Sequence, residues 1–225
     1  MNRTILIIAV IAVSLLLSNL IRQIFLNRLS RQLYDAAYIK KDRELFEILI
    51  ESPQAKLTMS GISRKIMSLN FYISIDDEKS VLKTGRHLIE RKLNTQEAQT
   101  VYPAVIGYLC EKGNPDASDF LYDMKSRYGN SKDLNMMLMI YDCELTYDIY
   151  IKKNTGRIKD IEEILKTDID PNSKAVYQYR LAKLYFYDNN RDKAKYYLNE
   201  AKNNTSDSNA KKKIDSILNG NWKHL

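Results

Sequence analysis

Only seven glycines and four prolines punctuate this chain of 225 residues. Those two residue types supply the positive φ angles and the pre-set corners that tight turns require. A β-rich fold of this length needs many such turns, so their scarcity points to long helices joined by short loops. The apolar residues agree. Spacings of three and four recur along the chain, and no segment sustains the period-two alternation of a half-buried strand. The spacing predicts an all-α chain with helices over about 28–40, 42–51, 56–74, 77–92, 95–112, 115–128, 131–153, 157–167, 172–188, 190–203 and 208–219. The stops are chemically sensible. Asn94-Thr95-Gln96-Glu97 places a capping side chain ahead of an acidic first turn. Lys112-Gly113-Asn114-Pro115 ends one helix at glycine and opens the next near proline.

The N-terminal end is different in kind. From Thr4 to Ile21 no residue is charged, and a helix of that length spans about 27 Å, close to the hydrocarbon thickness of a bilayer. A cleaved signal peptide is the main rival, but it needs a small-x-small site after the apolar run. This run leaves through Leu15-Leu16-Leu17-Ser18-Asn19-Leu20-Ile21-Arg22. The expectation is therefore an uncleaved transmembrane anchor over 1–27, followed by a helical domain over 28–225. Ile24, Phe25, Leu29, Leu33, Ala36 and Ala37 continue the apolar stripe beyond the span. Arg22, Arg28, Arg31, Lys40, Lys41 and Arg43 follow it, against Arg3 and the amine before it. That balance predicts a single-pass cell-membrane protein with its domain on the cytoplasmic side.

Near the C-terminus, Leu181-Ala182, Tyr185, Ala194, Leu198 and Ala201 stand at a spacing that resembles the tetratricopeptide repeat. The small residues let two helices approach closely, while Tyr185 and Leu198 fill the gaps. The resemblance covers residues 172–205, with a helix over 208–219 in the place of a polar cap. It implies an α-solenoid of antiparallel helix pairs after the anchor, and a concave face that receives peptides or partner helices.

The formal net charge of +7 invites a nucleic-acid reading. Most cations are interleaved with acids, as in Lys40-Lys41-Asp42-Arg43-Glu44, and only Lys211-Lys212-Lys213 is an unbroken basic run. Interleaving describes a solvated helix surface, so no nucleic-acid partner is expected. Cys110 and Cys143 read as buried thiols. His87 and His224 have no partner at zinc-ligand spacing, and phosphate-loop, dinucleotide and nucleophile-elbow motifs are absent from the sequence. No metal, cofactor, small-molecule substrate or catalytic residue is expected, and the chain is not read as an enzyme. Tyrosine, with 16 copies, is the suggestive residue. It joins a flat apolar ring to a hydrogen-bonding hydroxyl, a composition suited to interfaces. Tyr141, Tyr147, Tyr150, Tyr177, Tyr179 and Tyr187 are the candidate partner-binding residues. The functional expectation is a membrane-anchored scaffold or adaptor for a protein or peptide partner. The alternatives are a structural subunit of a larger membrane complex and a membrane-tethered enzyme.

Overall fold

A computed structural model describes Leu20 and residues 23–225. Helix α1 covers residues 23–34 and runs into a π-helical turn, Asp35–Ile39. There follow α2 (Arg43–Ile50), α3 (Pro53–Thr58), α4 (Gly61–Ser74), α5 (Glu78–Ile89) and α6 (Thr95–Lys112). The remainder is α7 (Ala117–Tyr128), α8 (Leu134–Tyr150), α9 (Ile158–Leu165), α10 (Pro171–Tyr187), α11 (Arg191–Asn204) and α12 (Ser208–Leu218). No strand occurs among the described residues, so the all-α reading stands.

The transmembrane anchor and the cell-membrane location, with a cytoplasmic domain, are corrected. No helix among the described residues is long and apolar enough to cross a membrane. The stretch from Thr4 to Ile21 behind that expectation lies outside the described residues, Leu20 excepted. The apolar stripe beyond that stretch packs into the folded chain. Leu29, Leu33, Ala36 and Ala37 are buried in a protein core with Phe46, Ile50 and Phe71, and Arg28 and Arg31 interrupt the helix on its other side. The fold is all-α with packed helix pairs.

One expected helix, 56–74, is two. Ser52 accepts a hydrogen bond from the Ala55 amide with Pro53 in the first turn, and Ser60 accepts one from the Ser63 amide. Each is a standard N-cap, so a second helix starts where periodicity alone predicts continuity.

The chain divides into two compact units between Val105 and Ile106. In the first unit, Phe46 and Phe71 stack with ring centroids 4.0 Å apart inside the α1–α2–α4 core. In the second unit, α10 and α11 form a hairpin. Asn189 takes the left-handed conformation at φ 58°, and the Asn190 side chain accepts from the Lys193 amide to start α11. Asparagine tolerates that backbone region better than most residues. Leu181, Ala182, Ala194 and Leu198 are fully buried, with Tyr185 and Ala201 almost so. The alanines permit the close crossing. The Tyr185 hydroxyl donates to Glu162 at 2.7 Å, and its ring stacks on Tyr197 at 5.6 Å. Buried Arg180 ties α10 to α8, donating to Asp142 at 2.5 Å and to the Thr146 hydroxyl at 2.8 Å. A charge taken out of water needs such partners, and this clamp sets the spacing of the two helices behind the groove described next.

Candidate partner-binding groove

On α10, Tyr179, Lys183 and Tyr187 recur every four residues and so lie on one face of the helix. Opposite them stand Tyr150 and Lys153 from the end of α8, Lys213 and Ser216 from α12, and Trp222 from the turn after it. Together with Phe186, Arg191 and Lys223 these side chains enclose a concavity of about 970 Å³ within the second unit. A smaller annex of about 220 Å³ shares Tyr150, Tyr179 and Lys213 and is otherwise lined mainly by Ala175, Val176, Ala201 and Ile214.

The aromatic rings act as seats for cations. The Lys183 ammonium lies 4.6 Å from the Tyr150 ring centroid and 5.7 Å from that of Tyr187. Lys153 approaches Tyr187 at 5.5 Å, Lys213 approaches Tyr179 at 5.3 Å, and Arg191 approaches Trp222 at 5.9 Å. The Trp222 ring itself stacks on Phe186 at 5.6 Å. A ring quadrupole steadies a cation without neutralising it. Among the described residues no carboxylate forms an ion pair with Lys153, Lys183, Arg191, Lys213 or Lys223, and Glu111 is the one acid lining the concavity. Burial, followed by the neighbouring Lys213 and Lys153 ammonium groups, pushes the Lys183 ammonium down to about 8, with Glu111 working the other way. Burial likewise pushes the Tyr150 and Tyr179 hydroxyls up, keeping both neutral.

Lys153 reaches the groove because of an unusual backbone. It adopts φ 52° just past α8. The turn is held by Asp148, a buried carboxylate that receives Arg157 at 2.6 Å and Lys152 at 2.9 Å, while the Asn154 amide donates to the Asp148 carbonyl at 2.9 Å. Burial opposes ionisation of Asp148, but hydrogen bonds from Lys152 and Arg157 prevail and hold it below the usual carboxylate range.

The six tyrosines singled out from the sequence are thus divided. Tyr150, Tyr179 and Tyr187 line the groove. Tyr177 is half-buried under Arg180, 5.3 Å from its ring, with its hydroxyl donating to Asp142 at 3.4 Å. Tyr147 is half-buried, with Lys152 over its ring at 5.4 Å. Tyr141 is 38% exposed, on an outward stripe of α8 with Leu134, Met137 and Leu138. Sequence reasoning passed over Lys183, although a lysine between two tyrosines at helical spacing was the available signal. It also passed over Trp222, for which no periodic signal exists. Chemically, the groove offers positive charge and aromatic surface. No histidine or cysteine lines it, and Ser216 is its one aliphatic hydroxyl. No protein-family model, curated protein or solved structure matches the chain.

Proposed function

We propose that this chain is a helical-repeat binding module whose second unit receives a segment of a protein partner in the groove on α10. In this reading α10 and α11 are a tetratricopeptide-like repeat, with α12 in the place of its capping helix. The observation that carries the proposal is the convergence of Tyr150, Tyr179, Tyr187 and Trp222, from three separate parts of the chain, on one open concavity. Aromatic anchors grouped in a concave site are the usual source of binding energy at protein interfaces. A depressed lysine in a cleft also marks amine catalysis. That chemistry wants a proton-transfer partner, and the one lining acid, Glu111, is exposed, so binding is the better-supported reading.

The test is site-specific photo-crosslinking in the native cell. A crosslinking residue at Ser216 should give a discrete protein adduct. The adduct should disappear when Tyr179 and Tyr187 are both changed to Ala, and a crosslinker at Lys79 in the first unit should not produce it. No adduct from Ser216, or the same adduct from Lys79, would overturn the reading.

A further inference from the structure

Resting on that reading, we infer that the partner segment is acidic: a stretch of polypeptide bearing several carboxylates, seated along the ammonium groups of Lys153, Lys183 and Lys213. Three features of the groove converge on this.

The first is unspent charge. Elsewhere in the second unit, several cations find acids. Arg180 meets Asp142, Arg157 meets Asp148 and Asp160, Lys125 meets Glu144, and Lys202 meets Asp215. In the groove, six cations gather, and of these Lys153, Lys183, Arg191, Lys213 and Lys223 have no carboxylate in ion-pair contact among the described residues. Like charges gathered in a concavity repel, and an anionic ligand relieves that repulsion as it binds.

The second is the identity of the cations. Five of the six are lysines, and the arginine sits on Trp222. Lysine is a compact point charge without the planar fork that selects a single bidentate anion. Several point charges along an open groove suit negative charge distributed along a chain better than one concentrated phosphate.

The third is what the rings are doing. Nucleic acid bound to a basic, aromatic surface draws its base affinity from stacking on open ring faces. Here Lys183 lies over Tyr150, Lys183 and Lys153 over Tyr187, Lys213 over Tyr179, and Phe186 and Arg191 over Trp222. The rings therefore hold cations in place for a ligand that reads charge. The adjoining annex, walled by Ala175, Val176, Ala201 and Ile214, gives an apolar side chain of the same segment a place to rest.

The experiment measures fluorescence anisotropy of labelled decaglutamate with the full-length chain, beside decaglutamine and a ten-nucleotide oligouridylate. Decaglutamate should bind, weakening as salt rises from about 50 to about 200 mM, and decaglutamine should not. Lys183→Met and Lys213→Met should each weaken decaglutamate about tenfold, the size of one favourable charge contact. Lys183→Arg should keep most of the affinity, and Lys79→Met in the first unit should leave it unchanged. If Lys183→Met fails to melt cooperatively, Lys213→Met and Lys223→Met on the exposed rim carry the same expectation. The inference is overturned if decaglutamate binds no better than decaglutamine, if Lys79→Met costs as much as Lys213→Met, or if oligouridylate binds at least as tightly. Should decaglutamate fail while the Ser216 crosslink persists, the groove remains a partner site and only its acidic preference is lost. Loss of the crosslink with decaglutamate binding intact rejects the protein-partner reading instead.

Discussion

The two units each carry a concavity of similar size, about 860 Å³ in the first and about 970 Å³ in the second, and they are built on opposite principles. In the first, cations and acids are mixed and pair with each other. Arg43 donates to Glu47 at 2.9 Å and to Asp77 at 2.6 Å, and His87 lies 3.7 Å from Glu90. Its one aromatic residue, Tyr72, has its ring under Arg43 and donates its hydroxyl to Glu47 at 3.0 Å. Burial first, and then that bond to Glu47, push the Tyr72 hydroxyl up to about 12. Arg43, Arg64 and Tyr72 are thus held by Glu47, Glu51 and Asp77, while Lys65, Lys79 and Lys83 line the surface. In the second, aromatic residues abound and acids are almost missing, so positive charge remains available. A concavity alone says little about binding. Whether its polar groups are already satisfied by neighbours says much more.

The largest effects are expected in the cores behind the two concavities. Phe46→Ala in the first unit removes a fully buried ring stacked on Phe71, which should cost about 3–5 kcal/mol. In the second, Ala194→Trp drives an indole into the α10–α11 crossing, where Ala194 is fully buried, at about 1–3 kcal/mol or more. Chemical denaturation reads both, and an unchanged midpoint for Ala194→Trp would show that the crossing is not tight. A smaller effect separates scaffold charge from binding charge. Arg157→Met leaves Asp148 buried with Lys152 as its remaining ion-pair partner and should cost about 2 kcal/mol. Because Asp148 is held low in the folded state, the stability it contributes should fade as the pH drops through the carboxylate range. A loss that stays constant down to acid pH would contradict the clamp. Lys213→Met, by contrast, should leave the melting temperature unchanged, since its ammonium has no carboxylate partner among the described residues.

Titration sharpens the contrast further. Lys183 faces Lys213, Lys153, Glu111, Tyr150 and Tyr187 and loses its proton near pH 8. Decaglutamate affinity should fall several-fold as the pH rises through about 8, and Lys183→Arg should flatten that profile. Stability moves the other way. The folded value lies below the unfolded one, so above pH 8 the unfolded chain binds the extra proton and folding is increasingly favoured towards the ordinary lysine range. A flat binding profile in the unaltered chain would mean that Lys183 does not face the ligand. The smallest effect concerns Lys153, whose φ of 52° is a conformation that glycine adopts without strain. Lys153→Gly should leave stability unchanged or raise it by up to about 1 kcal/mol while weakening decaglutamate binding. A clear loss of stability would show that the side chain is structural.

Much of the architecture is legible in the sequence. Asp133, Asp170, Asn190 and Asp207 each cap the helix that follows them, through local hydrogen bonds that depend on neighbours in sequence. The alternation of Leu181, Ala182, Tyr185, Ala194, Leu198 and Ala201 likewise encodes its own burial, because periods of three and four place those side chains on facing stripes. The membrane expectation rested on the uncharged run from Thr4 to Ile21, which lies outside the described residues, Leu20 excepted. An apolar stripe states that a helix buries one side, and is silent on whether lipid or protein covers it. For Leu29, Leu33 and Ala36 the cover is Phe46, Ile50 and Phe71, contributed by later helices.

Tyrosine abundance pointed to the second unit, and three of the six tyrosines it singled out line the concavity there. It could not separate Tyr177, held by Asp142 beneath Arg180, from Tyr179 two positions on, which lines the groove. Helix content, most helix boundaries and the small-residue crossing of α10 with α11 are thus written in the chain, all set by contacts within a few residues or by a single repeating period. Which charges remain unpaired depends instead on the packing of distant segments. Lys183 lies among Tyr150, Tyr187, Lys153 and Lys213 because three stretches of chain, separated by tens of residues, close around it. Coulombic pairing depends on distance in space, and a linear pattern of interleaved acids and bases carries no record of which of them will finally meet.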